Sequence, residues 1–581
     1  MRQMTKEQCE LFEALHTSRL EAIKIFNRRE FRGVWNSIID KYPEAAHFVY
    51  ELLQNADDAE ASEVLIKVYP QKMYFKHNGK KHFDITDDSA KIPGDINAIT
   101  GIGNSTKGDA QNKIGKFGVG FKAVFQYTDV PEIYDDIFKF KIEEHIVPIL
   151  LNKNHPERKD GETLFVFPFK NSEKSYEDIV KRVETLKSPI LFLENLENIK
   201  IEVEAKEKTK SVYEYSKKRL QSIMYKDGGF LTKYLLTNPK SDNEILMFGK
   251  NIDVIDDDKT TNHTIYVAFY YNSTKKEIIT RSKQDVFCFF PTKENFNTCY
   301  VCHAPFLLTD NRQNLKPNET INDFLAKELA KLATESILHL RDYGISERNI
   351  LINENIVDII PNYFTTSSHT TFWHYPKYER IFIESFNKFV ECEKIFLSRS
   401  GKYLSKNNSF TGSPKDLVEL LSPEQLKYLT KKNEDVDFLK WELNKRIIDN
   451  DLIKNSYTAE HLATDITSQF MMKQEQKWVS KMYHYIKETA RSLWNFSPNE
   501  TKKETAYKPF RKAPIIKLQT GDWVAPYTNT LTPNVFLPLS NTSNKEYNFI
   551  HKEYLNDENA KVFFTELGIG IPDKNDYIRQ I

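Results

Sequence analysis

Cysteine is scarce in this chain. Five thiols in 581 residues exclude a disulfide framework and point to reducing surroundings. Cys299 and Cys302 form a lone C-x-x-C, with no second such pair or histidine pair nearby to complete a tetrahedral zinc site. Strand alternation would put the two on opposite faces, so they are read as structural. Net charge is missing as well. Lys plus Arg and Asp plus Glu balance at 82 each, which removes any global electrostatic reason to bind nucleic acid or an anionic membrane. The basic clusters Lys72 to Lys81 and Lys206 to Lys218 read as solvated faces. No run approaches the roughly 20 apolar residues that span a bilayer. The opening MRQMTKEQCELFEAL has no apolar signal-peptide core, so a cytoplasmic protein is expected. The 14 histidines form no H-x-x-x-H or Ser-His-Asp pattern, and no internal repeat is apparent.

What the chain does have is a pair of unusual segments. ELLQNADDA (Glu51 to Ala59) places Glu51, Asn55 and Asp58 at i, i+4 and i+7, on one helix face, with Leu52, Leu53 and Ala56 supplying the buried side. A carboxylate, an amide and a second carboxylate lined up on an otherwise apolar helix suit proton transfer and binding of a hard metal ion; a merely solvated face is the bland alternative. KIGKFGVGFKAVF (Lys113 to Phe125) packs Gly115, Gly118 and Gly120 just before an apolar run. Glycines there let backbone N–H groups approach an anion closely, and a helix starting at that point would add its positive end. Taken together the two segments read as a site for ATP with Mg2+.

The order and content of these segments resemble the GHKL ATPase superfamily, which includes ninety-kilodalton heat-shock chaperones, MutL-type repair proteins, type II topoisomerases and histidine kinases. FGVGF resembles the chaperone branch, and Tyr42 to Phe169 looks like the sacsin-type ATP-binding domain. The resemblance implies Glu51 as the general base for the water attacking the terminal phosphate and Asn55 as the Mg2+ ligand. It places Asp58 at the pocket wall and Val119 and Phe121 within the phosphate-binding turn. Asn78 and Gly79 stand where the family has the aspartate and first glycine of a D-x-G-x-G turn. Asn78 could accept from the adenine amine through its side-chain oxygen; Asn-Gly is equally the signal of a tight hairpin turn, and both can hold. Thr163 resembles the threonine that supports the adenine-binding group. GIGNSTK (Gly101 to Lys107) resembles the ATP lid, with Ser105, Thr106 and Lys107 near the phosphates. HAPFLLTDNRQNL (His303 to Leu315) resembles the chaperone's catalytic loop, which makes Arg312 the cation that reaches the γ-phosphate. The chaperone's glutamine four residues later is Lys316 here, and the alternative is a surface arginine pairing with Asp310 or Glu319.

Length alone suggests about three domains. The expected fold class is α+β. An N-terminal GHKL-type α/β sandwich spans residues 1–208, an α/β middle domain with the catalytic-loop arginine spans 209–344, and a mainly helical region of unnamed role spans 345–581. Strands are expected at Val64 to Val68, Lys72 to Lys76, Glu162 to Phe167, Ile199 to Val203, Ile265 to Tyr271, Val286 to Phe290 and Tyr300 to Cys302. Helices are expected at Tyr176 to Thr185, Ile321 to Leu340, Asp416 to Lys431, Trp441 to Ile453 and Trp478 to Trp494. The closing ELGIGIPDKNDYIRQI reads as the start of a further unit of a longer product. The expected function is an ATP-hydrolysing conformational machine of the chaperone or sacsin-like kind, in which ATP-dependent N-terminal contacts form a homodimer or larger assembly. The resemblance extends to modules of bacterial antiviral defence and to a protein partner or client. The alternative is an ATP-gated nucleic-acid clamp.

Overall fold

The computed structural model describes residues 3–28, 47–101, 121–205, 209–256, 259–309, 312–346, 359–360, 375–412, 415–441, 443, 452–494, 507–538 and 547–572. They fall into two compact units, Met1–Pro361 with Thr370–Ser385, and Asn362–His369 with Phe386–Ile581.

The first unit is a mixed α+β body built on one sheet. Its elements in chain order are α1 (Lys6–Phe26), α2 (His47–Asp58), β1 (Glu63–Tyr69), β2 (Lys72–His77), α3 (Asp95–Ile99), β3 (Glu132–Tyr134), β4 (Lys139–Glu143), β5 (Val147–Leu150), β6 (Thr163–Pro168), α4 (Ser172–Glu184) and β7 (Asn198–Glu204). There follow β8 (Lys210–Met224), β9 (Gly229–Asn238), β10 (Ser241–Asp256), β11 (Lys259–Asn272), β12 (Glu277–Ile279), β13 (Asp285–Cys288), β14 (Phe290–Asn295), β15 (Val301–His303) and α5 (Thr320–Ser346). The strands run β14-β13-β15-β11-β10-β9-β8-β7-β1-β2-β6-β3-β4-β5, with β12 added beside β11. The β1–β7 and β13–β15 pairs are parallel. The domain boundary expected near residue 208 falls at the connection between β7 and β8. Those strands pair antiparallel from Asn198↔Ser216 to Glu204↔Lys210, so the sheet runs through that point.

Period-two alternation builds the core. Val64, Ile66 and Val68 of β1, Met73 and Phe75 of β2, Phe165 and Phe167 of β6, and Ile199, Ile201 and Val203 of β7 turn to one face. Phe12 and Leu15 of α1, the Phe48, Val49, Leu52, Leu53 and Ala56 stripe of α2, and Ile179 and Val183 of α4 pack against it. α1 starts where Thr5 and Gln8 form a reciprocal capping box, and the Asn171 side chain caps α4. Farther along the sheet, α5 packs on β10 and β11, and Lys250 reaches Glu335 at 2.9 Å.

Two expectations change locally. The run Val286 to Phe290 is broken by Phe289, whose φ of +62° turns the chain from β13 into β14. The apolar run after the glycine-rich segment is a 3-10 helix of six residues, Phe121–Gln126. So short a helix aligns few peptide dipoles, so little of the expected positive end remains. Within it Lys122 is buried and donates to the carbonyls of Ile99 (2.8 Å) and His145 (2.6 Å).

The second unit contains a repeat that sequence inspection overlooked. Phe396–Leu397 pairs with Tyr403–Leu404 around Gly401, and Ile516–Lys517 pairs with Trp523–Val524 around Gly521. The surrounding bonds match one for one. Ser398 N donates to Lys402 O and Leu518 N to Asp522 O; Leu439 N donates to Phe410 O and Ile550 N to Phe536 O; Lys440 N donates to Leu397 O and His551 N to Lys517 O. Only a glycine and a few apolar positions are shared between FLSRSGKYL and IKLQTGDWV, too little to stand out from composition. Helices were expected to dominate this unit. The long Gln476–Trp494 and the terminal Glu558–Leu567 are present, with Tyr483 stacked on Phe563 at 4.8 Å. The Asp416 to Lys431 helix is split at Pro423 into Lys415–Leu420 and Pro423–Thr430. Most of Trp441 to Ile453 lies outside the described residues.

Burial lowers the Lys122 pKa from 10.5 to about 7. Between those values the unfolded chain binds a proton that the folded chain does not, so this residue makes stability rise with pH. Lys122→Met should remove that slope. In denaturant titrations at pH 7 and pH 9, wild type should gain stability relative to the variant at the higher pH. An equal gap at both values would show that the amine stays charged in the fold.

Candidate functional site

With its apolar stripe against the sheet, α2 has polar positions that must find partners. Asp57 is buried, and its carboxylate accepts the N–H groups of Glu194 (3.1 Å), Asn195 (2.7 Å) and Leu196 (2.8 Å). Burial raises its pKa, while those three N–H groups and Lys217 oppose the shift. Lys217 is half-buried, its pKa lowered to about 8 by desolvation, and it donates to Leu193 O. The Lys206 to Lys218 cluster is therefore not wholly a solvated face. The Asp57 anchor fixes the C-terminal turn of α2 to the segment entering β7.

A cleft opens beside that turn, lined by Asn55, Asp58, Ala59, His77, Lys81, His82, Phe83, Asp95, Thr163 and Phe165. Register brings its far wall together, because His77 of β2 lies opposite Thr163 of β6. Asn78 follows β2. Its Oδ1 accepts from Ser62 N (3.0 Å) and Glu63 N (2.9 Å), and its Nδ2 donates to Ser62 Oγ (2.9 Å). Both ends of the amide thus tie the chain after β2 to the start of β1, and no tight hairpin turn forms there, since β2 pairs with β1 before it and with the distant β6. Gly79 has a steric reason, since a Cβ there would lie 2.8 Å from Ala59 O and 2.9 Å from Ala59 Cβ. Burial lowers the His77 pKa to about 4, and Nδ1 of the neutral ring accepts from Gly79 N at 3.1 Å. Phe121 is a buried core residue.

Arg312 comes from a loop far along the chain. Leu308 and Leu315 form a bridge, Arg312 N donates to Thr309 O at 2.7 Å, and Lys293 N donates to Gln313 O at 2.7 Å. The buried Asn322 at the start of α5 clamps the base of the loop, accepting from Leu307 N (2.8 Å) and donating to Leu307 O (2.9 Å) and Lys316 O (3.1 Å). Arg312 itself has φ +53°, a conformation uncommon outside glycine and held here by the loop's own bonds. Its guanidinium forms an ion pair with Glu51 and lies 3.4 Å from Gln54 Oε1. Glu319, the alternative partner, pairs with Lys316 at 2.7 Å; Asp310 lies outside the described residues. Glu51 is 9% and Arg312 33% exposed at the side chain, so the pair joins a nearly buried carboxylate to a cation open to solvent.

The structure thus brings Glu51 to Arg312 on α2, the helix whose next turns carry Asn55 and Asp58 to the cleft that Thr163 also lines. Ser105, Thr106, Lys107, Gly115, Gly118, Val119 and Gly120 lie outside the described residues. Gln54, Asp57, His82 and Asp135 were missed by sequence reasoning. Gln54 and Asp57 stood in plain sight on α2, but only tertiary contacts give them partners. Asp135, in the turn after β3, carries no sequence signal.

Comparison with known proteins finds similarity that includes part of this region. Residues 30–144 match the family model of the Sacsin domain. The chain is 24% identical over 328 residues to Protein NO VEIN of Arabidopsis thaliana, covering 51% of this chain and 11% of that protein. It is 30% identical over 143 residues to Sacsin of Homo sapiens, covering 22% of this chain and 3% of that protein. This chain therefore matches only a small part of either relative: it carries a Sacsin domain match over residues 30–144 and a distant similarity to both proteins.

Proposed function

We propose that the chain binds ATP in the cleft beside α2 and hydrolyses it slowly, as a conformational machine of the sacsin or chaperone-like kind. The observation that carries this reading is the Arg312–Glu51 pair, which joins residues from opposite ends of the first unit. A structural helix gains little from a nearly buried carboxylate, because desolvation offsets much of the attraction to its partner. A hydrolytic site needs both groups.

In this reading Glu51 holds and deprotonates the attacking water, and Arg312 neutralises charge on the terminal phosphate. The phosphate competes with Glu51 for the guanidinium, so occupancy of the site would free the carboxylate to act as base. Asn55 and Asp58 offer oxygen donors to the cleft, the chemistry a hard Mg2+ ion accepts. Bound there, Mg2+ would supply charge neutralisation on the phosphates. The wider role follows the same line: ATP-driven contacts between copies acting on a protein client, as in a defence module. DNA-stimulated turnover at low salt would favour a nucleic-acid clamp instead.

Glu51→Gln should abolish ADP release while leaving ATP affinity within a few-fold, because the base acts mainly in the transition state. Arg312→Ala should slow turnover by on the order of 10³-fold with binding retained. Calorimetry alongside a phosphate-release assay measures both. Turnover in Arg312→Ala equal to wild type would sink the reading.

Asn322→Ala removes three hydrogen bonds at the loop base without touching the cleft. It should lower kcat about tenfold with little change in ATP affinity, as expected when a reacting group is loosened. Equal loss of affinity and rate would point to general unfolding of the first unit.

A further inference from the structure

The cleft wall opposite α2 contains a buried carboxylate that the proposed chemistry does not use. Asp135 is fully buried, in the turn after β3, with its own N–H donating to Phe138 O. Its carboxylate accepts from Thr163 Oγ1 (2.8 Å) and Phe83 N (3.2 Å) and meets His82 Nδ1 at 2.9 Å. All three donor residues line the cleft, whereas Asp135 stands behind them. His82 Nε2 lies 3.7 Å from Asp136, beyond hydrogen-bond distance. Arg158, whose side chain is buried, pairs with Asp136 and donates to Glu162 O at 2.8 Å.

This arrangement dictates what the wall can offer a ligand. A hydroxyl has one proton and two lone pairs. Thr163 commits its proton to Asp135, so toward any further partner it can only accept. A carboxylate can only accept, so His82 carries its proton on Nδ1 and is held with that edge toward Asp135. Thr163 is therefore an acceptor at the cleft wall, and Asp135 makes it one.

We propose that Asp135 is the residue that sets base selectivity, by fixing the Thr163 hydroxyl as an acceptor for an exocyclic purine amine. The inference rests on the ATP reading above and deepens it. Adenine presents an amine donor at position 6, where guanine presents a carbonyl oxygen. Two acceptors facing each other leave both unpaired in a desolvated site, and rejection of that kind is strong. Asp135 acts through Thr163 and is a positioning residue. Replacing it with an amide would let the side chain donate to Thr163, freeing the hydroxyl proton to turn into the cleft.

The test is equilibrium binding of ATP, GTP and purine riboside triphosphate, which lacks the 6-amino group, to the full chain and its variants. Wild type should prefer ATP to GTP by a hundredfold or more and to purine riboside triphosphate by about tenfold. Asp135→Asn should reduce the ATP-to-GTP ratio at least tenfold. Thr163→Val, which keeps the shape and removes the acceptor, should abolish the preference for ATP over purine riboside triphosphate; Thr163→Ser should retain it. The Thr163 pair carries the test if Asp135→Asn does not fold. Equal binding of the three nucleotides by wild type, or unchanged ratios in Asp135→Asn and Thr163→Val, would overturn the inference while leaving the ATP reading intact. Failure of wild type to bind any of them would overturn both.

Discussion

The antiparallel pairing of β7 with β8 is the constraint on which the first unit depends. β7 lies parallel to β1 in the N-terminal part of the sheet, and β8 leads into the long β9, β10 and β11 strands that support β15 and the Arg312 loop. Backbone bonds along this path make one sheet of what composition divides into two domains. A hydrogen-bonded sheet bends and twists but does not slide, since a shift of one residue would turn every core side chain outward. The loop that follows β15 is therefore held at a defined distance from α2. The Asp57 carboxylate works toward the same end by tying α2 to the chain that enters β7.

This rigidity gives the Glu51–Arg312 pair its meaning. An exposed ion pair between mobile groups contributes little. Here Glu51 sits on a helix packed by five buried apolar residues, and Arg312 on a loop clamped through Asn322. Around the pair, further contacts run from the helix side to the β13–β14 side. Tyr50 stacks on Phe290 with centroids 4.4 Å apart, and Lys187 reaches Asp285 at 2.8 Å. A change in what Arg312 binds would thus be felt across several contacts at once.

Several polar groups at the cleft and its edge are oriented by partners within the fold. His77 is kept neutral by burial and takes the Gly79 N–H, Asn78 is locked by Ser62 and Glu63, and Thr163 and His82 are held by Asp135. Preorganisation of this kind lets a small cleft discriminate without rearranging, because side-chain entropy is already lost before a ligand arrives.

Much of this was legible in the chain. The polar stripe of α2, the strands β1, β2, β6 and β7, and the helices α4 and α5 follow from local periodicity, which depends on residues a few positions apart. The same local signal marked Glu51, Asn55 and Asp58 as unusual, whereas Arg312 was picked out only by the resemblance of its loop to the chaperone's catalytic loop. Periodicity could not say that Arg312 would meet Glu51 rather than Glu319, because that choice is made by strand order across the whole sheet. It could not separate Asp57, buried against three backbone N–H groups, from Asp58 beside it, and it gave Asp135 no distinction at all. Nor could it show that FLSRSGKYL and IKLQTGDWV adopt the same hairpin, since the equivalence lies in backbone hydrogen bonds that few side chains report. Local pattern determined many of the helices and strands. Tertiary structure alone decided which polar groups share a partner, because burial and long-range hydrogen bonds are properties of the folded assembly and not of any segment within it.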